Sequence, residues 1–534
     1  MAREGEPMSR REFIGAAAAA SVAATQGPDR RRRPNMVVIV ADDMGYSDPG
    51  CYGGDVHTPN LDALAAGGLR FTQCCSTARC WPSRSCLLTG YYAQQVRMDP
   101  PGEPLPKWAR VIPHYLRPAG YRCYHSGKWH LMGAPKVVAD GGFHRSYVLH
   151  DHDRFFDPKN HMLDDRSLRP VGPDEGYYAP IAIANHAVGF LREHQEQHGD
   201  EPFCLYLAFT SPHFPLHALQ EDIDRYRETY LRGWDVMRTA RWRRMRSMGL
   251  VNCELPKLER NVIPSWNRTP KELSDLVGEG EAPYAVPWTE LDRKQQEFQA
   301  LKMAIHAAMV DRMDQEIGRV LDQVRAMGAW DDTATFFVSD NGASAEQMIR
   351  GDEHDKSRAP GSRGTFLCLG PGWSSAANTP FRLHKSWVHE GGISSPLIMH
   401  WPRGIADRGE LRHSPCHFVD ILPTMTDMAG ARPEPTWNGL TPPAPPGRSL
   451  MPAVRSHAAV PRGPLYFHHE GHRALRDEPW KLVSVKGGPW ELYNLRTDRS
   501  EQHDLSAKHP DRVAAMAALW QTMEDTHRAQ AKTG

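Results

Sequence analysis

Three short apolar runs in this chain each end in groups that a cation or a substrate would claim. Residues 35–40, Asn-Met-Val-Val-Ile-Val, run into Asp42-Asp43. Residues 333–338, Thr-Ala-Thr-Phe-Phe-Val, run into Ser339-Asp340-Asn341-Gly342. Residues 202–209 run into Ser211-Pro212-His213-Phe214-Pro215, which presents an imidazole held between prolines. Each run reads as a buried strand. Residues 298–327, with Leu301, Ile305, Ala308, Met309, Met313, Ile317, Val320, Leu321 and Val324 on one face, read as a long helix packed on a sheet. In open α/β sheets ligands bind outside the carboxyl ends of strands. One pair of carboxylates there would pass as solvated loop charge. Two acidic or amide pairs in the same position make that explanation poor, and their oxygens suit Ca²⁺ or Mg²⁺.

Residues 80–90, Cys-Trp-Pro-Ser-Arg-Ser-Cys-Leu-Leu-Thr-Gly, predict a helix. Pro82 suits its first turn and Gly90 its end. Cys80 is then expected just before the helix, facing free N–H groups, with a thiol more acidic than usual. Residues 120–130 hold Gly-Tyr and then Gly127-Lys128-Trp129-His130. Strand alternation would turn Lys128 and His130 to one side, a pairing that suits an anionic group with a leaving oxygen. Taken alone, the same residues would also serve as an exposed edge strand.

The Cys-X-Pro-Ser-Arg and Leu-Thr-Gly pattern resembles the first signature of the sulfatase family. Gly-Tyr followed by Gly-Lys-X-His resembles its second. The order of motifs is kept from about residue 35 to 520, with Lys385 falling where the family has a second active-site lysine. The resemblance implies an α/β fold with a large mixed, mostly parallel sheet flanked by helices, like the alkaline phosphatases and sulfatases, and a small C-terminal antiparallel sheet plus helix. It implies a catalytic domain over residues 34–445 and a C-terminal subdomain over 446–534. It implies that Cys80 is oxidised by a formylglycine-generating enzyme, and that the hydrated aldehyde attacks sulfur and later expels sulfate as the aldehyde reforms. Asp42, Asp43, Asp340 and Asn341 would bind one ion, with the group at position 80 completing its shell. Ca²⁺ is the preferred ion and Mg²⁺ the alternative. Asn341 favours one metal, because two-metal relatives generally carry His there. Arg84 would orient the nucleophile, and Lys128 and Lys385 would bind developing charge. His130 would take a proton, and His213 would give one to the leaving group. The implied substrate is a sulfate monoester, of an aryl alcohol or a carbohydrate. The competing readings are a phosphonate monoester or phosphodiester hydrolase of the same fold, and a non-catalytic binder of sulfated glycans with Cys80 left as thiol.

Equal numbers of basic and acidic residues, 64 each, argue against a nucleic-acid partner. No apolar run approaches the roughly 20 residues of a membrane span. Arg10-Arg11 ahead of an Ala-rich stretch predicts a Tat-type export signal over residues 1–27, and hence a periplasmic or secreted protein. The ten cysteines do not suggest a disulfide framework or zinc spacing. Residues 219–297 are polar and interrupted. Their run Arg241 to Arg246 reads as the solvated face of a helix, or as a positive rim that steers anions. The Gly233-Trp234-Asp235 pattern in the same segment resembles an insertion of the arylsulfatase-like subgroup, expected as one wall of the cleft.

Overall fold

The apolar run after Pro34 has no polar alternation because both its faces are covered. In the computed structural model, which describes residues 33–350 and 354–533, it is strand β1, Asn35–Ala41. Val37, Ile39 and Ala41 enter one hydrophobic core, and Met36, Val38 and Val40 enter another on the opposite side. Helices Pro59–Ala66, Ala179–His198 and Arg293–Ala326 supply the first core. Helices Cys80–Thr89, Ile421–Ala429 and Pro510–Lys532 supply the second. The export signal expected over residues 1–27 lies outside the described residues.

The other strands of the large sheet are β2 (Leu69–Cys75), β3 (Arg122–Gly127), β4 (Arg145–Leu149), β5 (His161–Leu163), β6 (Arg166–Ser167), β7 (Phe203–Ala208), β8 (Thr333–Ser339), β9 (Ser394–His400), β10 (Glu410–Arg412) and β11 (Cys416–His417). Their order is β10-β2-β9-β8-β1-β7-β3-β4-β5-β6, with β11 also on β2. The middle of the sheet, β8-β1-β7-β3-β4, is parallel throughout. Strand β9 runs antiparallel between β8 and β2. The expected large mixed, mostly parallel sheet is therefore present. Register fixes what matters next: Ala41 pairs with Ser339, Val40 with Ala208, and Ala208 with Gly127. The residues that follow β1, β8, β7 and β3 thus emerge along one edge.

Residues 150–165 carry β5 and lead into β6, and β5 extends the sheet by hydrogen bonding to β4. The long helix starts earlier than its periodicity suggested, because Asp292 accepts from the Gln295 amide in a capping box. The arginine run is neither solvated face nor rim at its key position. Arg241 is buried, with its guanidinium 2.8 Å from Asp48 and 2.7 Å from Asp55. Among the described residues no helix is long and apolar enough to cross a membrane.

The C-terminal meander β12 (Leu465–His469), β13 (His472–Asp477), β14 (Trp480–Ser484) and β15 (Glu491–Asn494) is wholly antiparallel. A buried charge cluster ties it to the large sheet. Lys481 of β14 lies 3.0 Å from Glu390, just before β9, and 2.8 Å from Glu501. Arg499 adds a 3.0 Å contact to Glu390. Burial alone would raise the Glu390 carboxyl, yet Lys481 and Arg499 hold it below the usual range. Removing one member of such a set leaves buried charge unpaired. Lys481→Met is expected to lower unfolding stability by about 3–5 kcal/mol. A urea denaturation midpoint checks this, and a loss under about 1 kcal/mol would show that the cluster does not join the sheets.

Candidate active site

The strand ends bring the acidic pairs together. The Asp43 amide donates to Asp340 Oδ1 at 3.2 Å, and Asn341 Nδ2 donates to Asp43 Oδ1 at 2.7 Å. Gly342 permits this turn. A Cβ there would stand 1.8 Å from the Gly391 carbonyl oxygen. Arg84, one turn into the helix Cys80–Thr89, is fully buried. Its Nε donates to Asp340 Oδ2 at 2.8 Å and its Nη1 to the Lys128 carbonyl at 3.1 Å. Lys128 Nζ donates to Asp42 Oδ2 at 2.6 Å, and Lys385 Nζ to Asp43 Oδ2 at 2.7 Å. His213 Nε2 stands 3.3 Å from Lys385 Nζ and 3.6 Å from Asp43 Oδ2. Its Nδ1 meets the Phe214 carbonyl, so Nδ1 carries the hydrogen and Nε2 accepts. All the residues singled out in the sequence, Asp42, Asp43, Cys80, Arg84, Lys128, His130, His213, Asp340, Asn341 and Lys385, thus meet at one edge of the sheet.

Two local expectations are corrected. Strand β3 stops at Gly127, whose φ of 116° suits only glycine, so Lys128 and His130 are not placed by strand alternation. They lie in the following loop, where His130 adopts a φ of 55°. Cys80 is not an acidic thiol. It begins the helix rather than preceding it, and it is 3% exposed. Burial raises its pKa, and Lys128 and Lys385 recover only part of the shift. Asp43, Ala78, His130 and Ser386 all hold positive φ around this centre, the strain expected where function dictates geometry.

The cluster offers donor atoms to a cation. Asp42, Asp43 and His213 place donor atoms within 4.8 Å of one another. Asp42 Oδ1 and Asn341 Oδ1 are buried acceptors without a hydrogen-bond partner. Unpaired buried oxygens are costly unless something positive meets them. Burial and the neighbouring Asp42 push Asp340 up to about 7. Burial would also raise Asp42, but Lys128 and Arg84 outweigh it and hold that carboxyl below its usual range. Asp42, Asp43, Asp340 and Glu346 face Arg79, Arg84, Lys128 and Lys385. A divalent ion would make this balanced set net positive, the sign an anionic ester requires. An oxygen-rich donor set of this kind suits Ca²⁺ or Mg²⁺.

Several site groups were not anticipated. Glu346 is buried, 3.4 Å from Lys385 and 3.3 Å from Arg79, and it accepts from Ser344 Oγ at 2.9 Å. Lys385 and Arg79 hold its carboxyl at about 2 against the upward push of burial. The His152 ring lies 5.3 Å from those of both His130 and His213. Strand β4 is parallel to β3, so His152 follows another strand end at the same edge. That strand was the missing signal. Burial, reinforced by Lys385 for His213 and by Lys128 for His130, pushes both imidazoles far below their usual pKa and keeps them neutral.

A mostly parallel α/β sheet with this acidic, cationic and imidazole cluster at its strand ends defines a hydrolase that handles an anionic ester. Residues 34–431 match the sulfatase family, and residues 381–529 match the C-terminal region of N-sulphoglucosamine sulphohydrolase. An uncharacterized sulfatase of Schizosaccharomyces pombe is 30% identical over 92% of this chain and 94% of its own length. The arylsulfatase of Klebsiella aerogenes is 30% identical over 76% of this chain and 88% of its own. The crystal structure of Ps i-CgsB in complex with k-i-k-neocarrahexaose has the same fold, with a TM-score of 0.65 at 23% identity, covering 94% of each chain. The chain belongs to the sulfatase family, whose members are sulfuric ester hydrolases.

Proposed function

We propose that this chain hydrolyses sulfate monoesters using a formylglycine made from Cys80 and one divalent cation, Ca²⁺ or Mg²⁺. The observation that carries the reading is the pair of buried oxygens without a hydrogen-bond partner, Asp42 Oδ1 and Asn341 Oδ1, set among Lys128, Arg84 and Lys385. Asp42, Asp43, Asp340 and Asn341 would hold the ion, which supplies Lewis acidity to a sulfuryl oxygen. A hydrated formylglycine supplies an oxygen nucleophile whose second hydroxyl allows sulfate to leave as the aldehyde reforms. Arg84, fixed by Asp340 and the Lys128 carbonyl, orients the side chain at position 80. Lys128 and Lys385 stabilise charge that grows on the sulfuryl and leaving oxygens. Neutral His130, with Nδ1 buried and unpaired, accepts the nucleophile's proton. The Lys385–His213 pair, 3.3 Å apart, holds the proton that the leaving oxygen takes. Maturation requires a formylglycine-generating enzyme, and the twin-arginine leader directs the folded product to the periplasm or medium.

The test compares an aryl sulfate, a phosphate diester and a phosphonate monoester on the native-host enzyme, alongside a mass spectrum of the peptide containing position 80. Preference for the sulfate with a converted cysteine supports the reading, and preference for either phosphorus substrate sinks it. Chelation is a second check. EDTA is expected to lower kcat/KM by about 100-fold or more, because several kcal/mol of charge stabilisation go with the ion. Re-adding Ca²⁺ or Mg²⁺ near 100 times its Kd should restore activity and raise stability by about 2.7 kcal/mol. Full activity in the chelated protein would rule out the metal.

A further inference from the structure

The alcohol half of the ester needs a seat beside the reacting centre. A pocket of about 210 Å³ opens between Trp266, Ser386, Trp387, Glu470, His472 and Lys486. Its walls stand one step from the chemistry. Ser386 follows Lys385 in the chain and accepts from Arg79 Nη1 at 2.6 Å. Trp266 Nε1 donates at 2.9 Å to Glu346, the carboxylate that faces Lys385. Glu470 follows His469, whose ring lies 5.6 Å from Trp81, the neighbour of Cys80. Arg79 lies between the indoles of Trp81 and Trp266, at 5.1 and 5.2 Å, and joins the two sites.

The lining is mixed in a particular way. Trp266 stays 39% exposed, an indole face left open although its N–H is anchored. Glu470 and Gly471 form the turn between β12 and β13, with φ of 50° and 91°. Such a turn favours Asn, Asp or Gly at its first position. A glutamate there is strained, and that strain is explained if its carboxylate has a task. Among the described residues Lys486 has no ion-pair partner. A flat apolar alcohol would strip water from these groups and give nothing back. A ring with an apolar face and a rim of hydroxyls would satisfy both the indole and the charges. The pocket is smaller than the roughly 300–1,000 Å³ of sites for drug-sized ligands, which suits one ring rather than a chain.

We propose that this pocket holds the sugar ring of a sulfated carbohydrate. Trp266 packs against the ring face, and Glu470 and Lys486 bond its hydroxyls. The proposal rests on the sulfatase reading and names its substrate class. Its test is the ratio of kcat/KM for the best of a panel of hexose and N-acetylhexosamine monosulfates to that for para-nitrophenyl sulfate. Sites built to bond hydroxyls discriminate strongly, so Glu470→Ala, Lys486→Ala and Trp266→Ala should each lower this ratio about tenfold or more. A ratio that stays within about twofold in all three variants overturns the assignment. So does a wild-type enzyme that turns over para-nitrophenyl sulfate and none of the sugars. Failure of the wild type on both kinds of ester would overturn the hydrolytic reading beneath it as well.

Discussion

Cys80→Ala is expected to abolish multiple turnover, and Cys80→Ser to stop after one. Loss of a nucleophile typically costs about 10⁴-fold or more in kcat, with the rest of the site left to act alone. Cys80 is buried at the start of the helix that also carries Arg84, so neither small substitution disturbs the core. The serine variant discriminates further. Its hydroxyl would lie where Lys128, Lys385 and a bound cation could still activate it and bind the sulfuryl group. It can therefore take the sulfuryl group and release the alcohol. It has no second oxygen on the same carbon, so the electron push that expels sulfate is missing. The expected result is a burst of about one alcohol per enzyme, with a peptide heavier by one SO₃. Sustained turnover by Cys80→Ser would show that release does not depend on a carbonyl, and the proposed chemistry would fall.

Much of this architecture was readable because burial on both sides leaves a simple signature. The runs that became β1, β7 and β8 have no polar alternation, since helices cover each face. Short edge strands carry no such mark. Strands β5 and β6 are three and two residues long and partly exposed, too short to show a pattern, and β5 pairs with β4 while β6 pairs only with β5. The arginine run misled for a related reason. Charge in a helix normally means solvent, and only the fold could bring Asp48 and Asp55 to Arg241.

The site divides in the same way. Asp42, Asp43, Asp340 and Asn341 were legible because a polar pair directly after a buried strand has a known position in an α/β sheet. Lys128 and His130 were found for a partly mistaken reason, since a loop with strained backbone, not a pleat, aims them. The acidic thiol expected at Cys80 shows the limit of a local argument. The helix start is there, but the helix dipole acts over one turn while desolvation acts on the whole group, and burial wins. Glu346 could not be seen at all, because its meaning lies in two cations that come from residues 79 and 385.

Lys128→Met should cut kcat by about 10²–10³-fold while stability changes in a way that depends on the metal. The catalytic loss is that of one donor aimed at developing charge in a site closed to water. The effect on folding follows from the same side chain's other contact. Lys128 Nζ is 2.6 Å from Asp42 Oδ2, and both groups are buried. Methionine keeps the volume but leaves the Asp42 carboxylate facing Asp340 with only Arg84, 3.8 Å away, between the pair and mutual repulsion. Leaving a buried charge uncompensated costs about 3–5 kcal/mol. A cation held by the same carboxylates would replace much of the lost attraction. The variant is therefore expected to lose more stability than wild type when EDTA is added, and to regain most of it with saturating Ca²⁺, while kcat stays low. A Lys128→Met protein whose stability deficit is the same with and without the ion would show that Asp42 does not belong to the metal site.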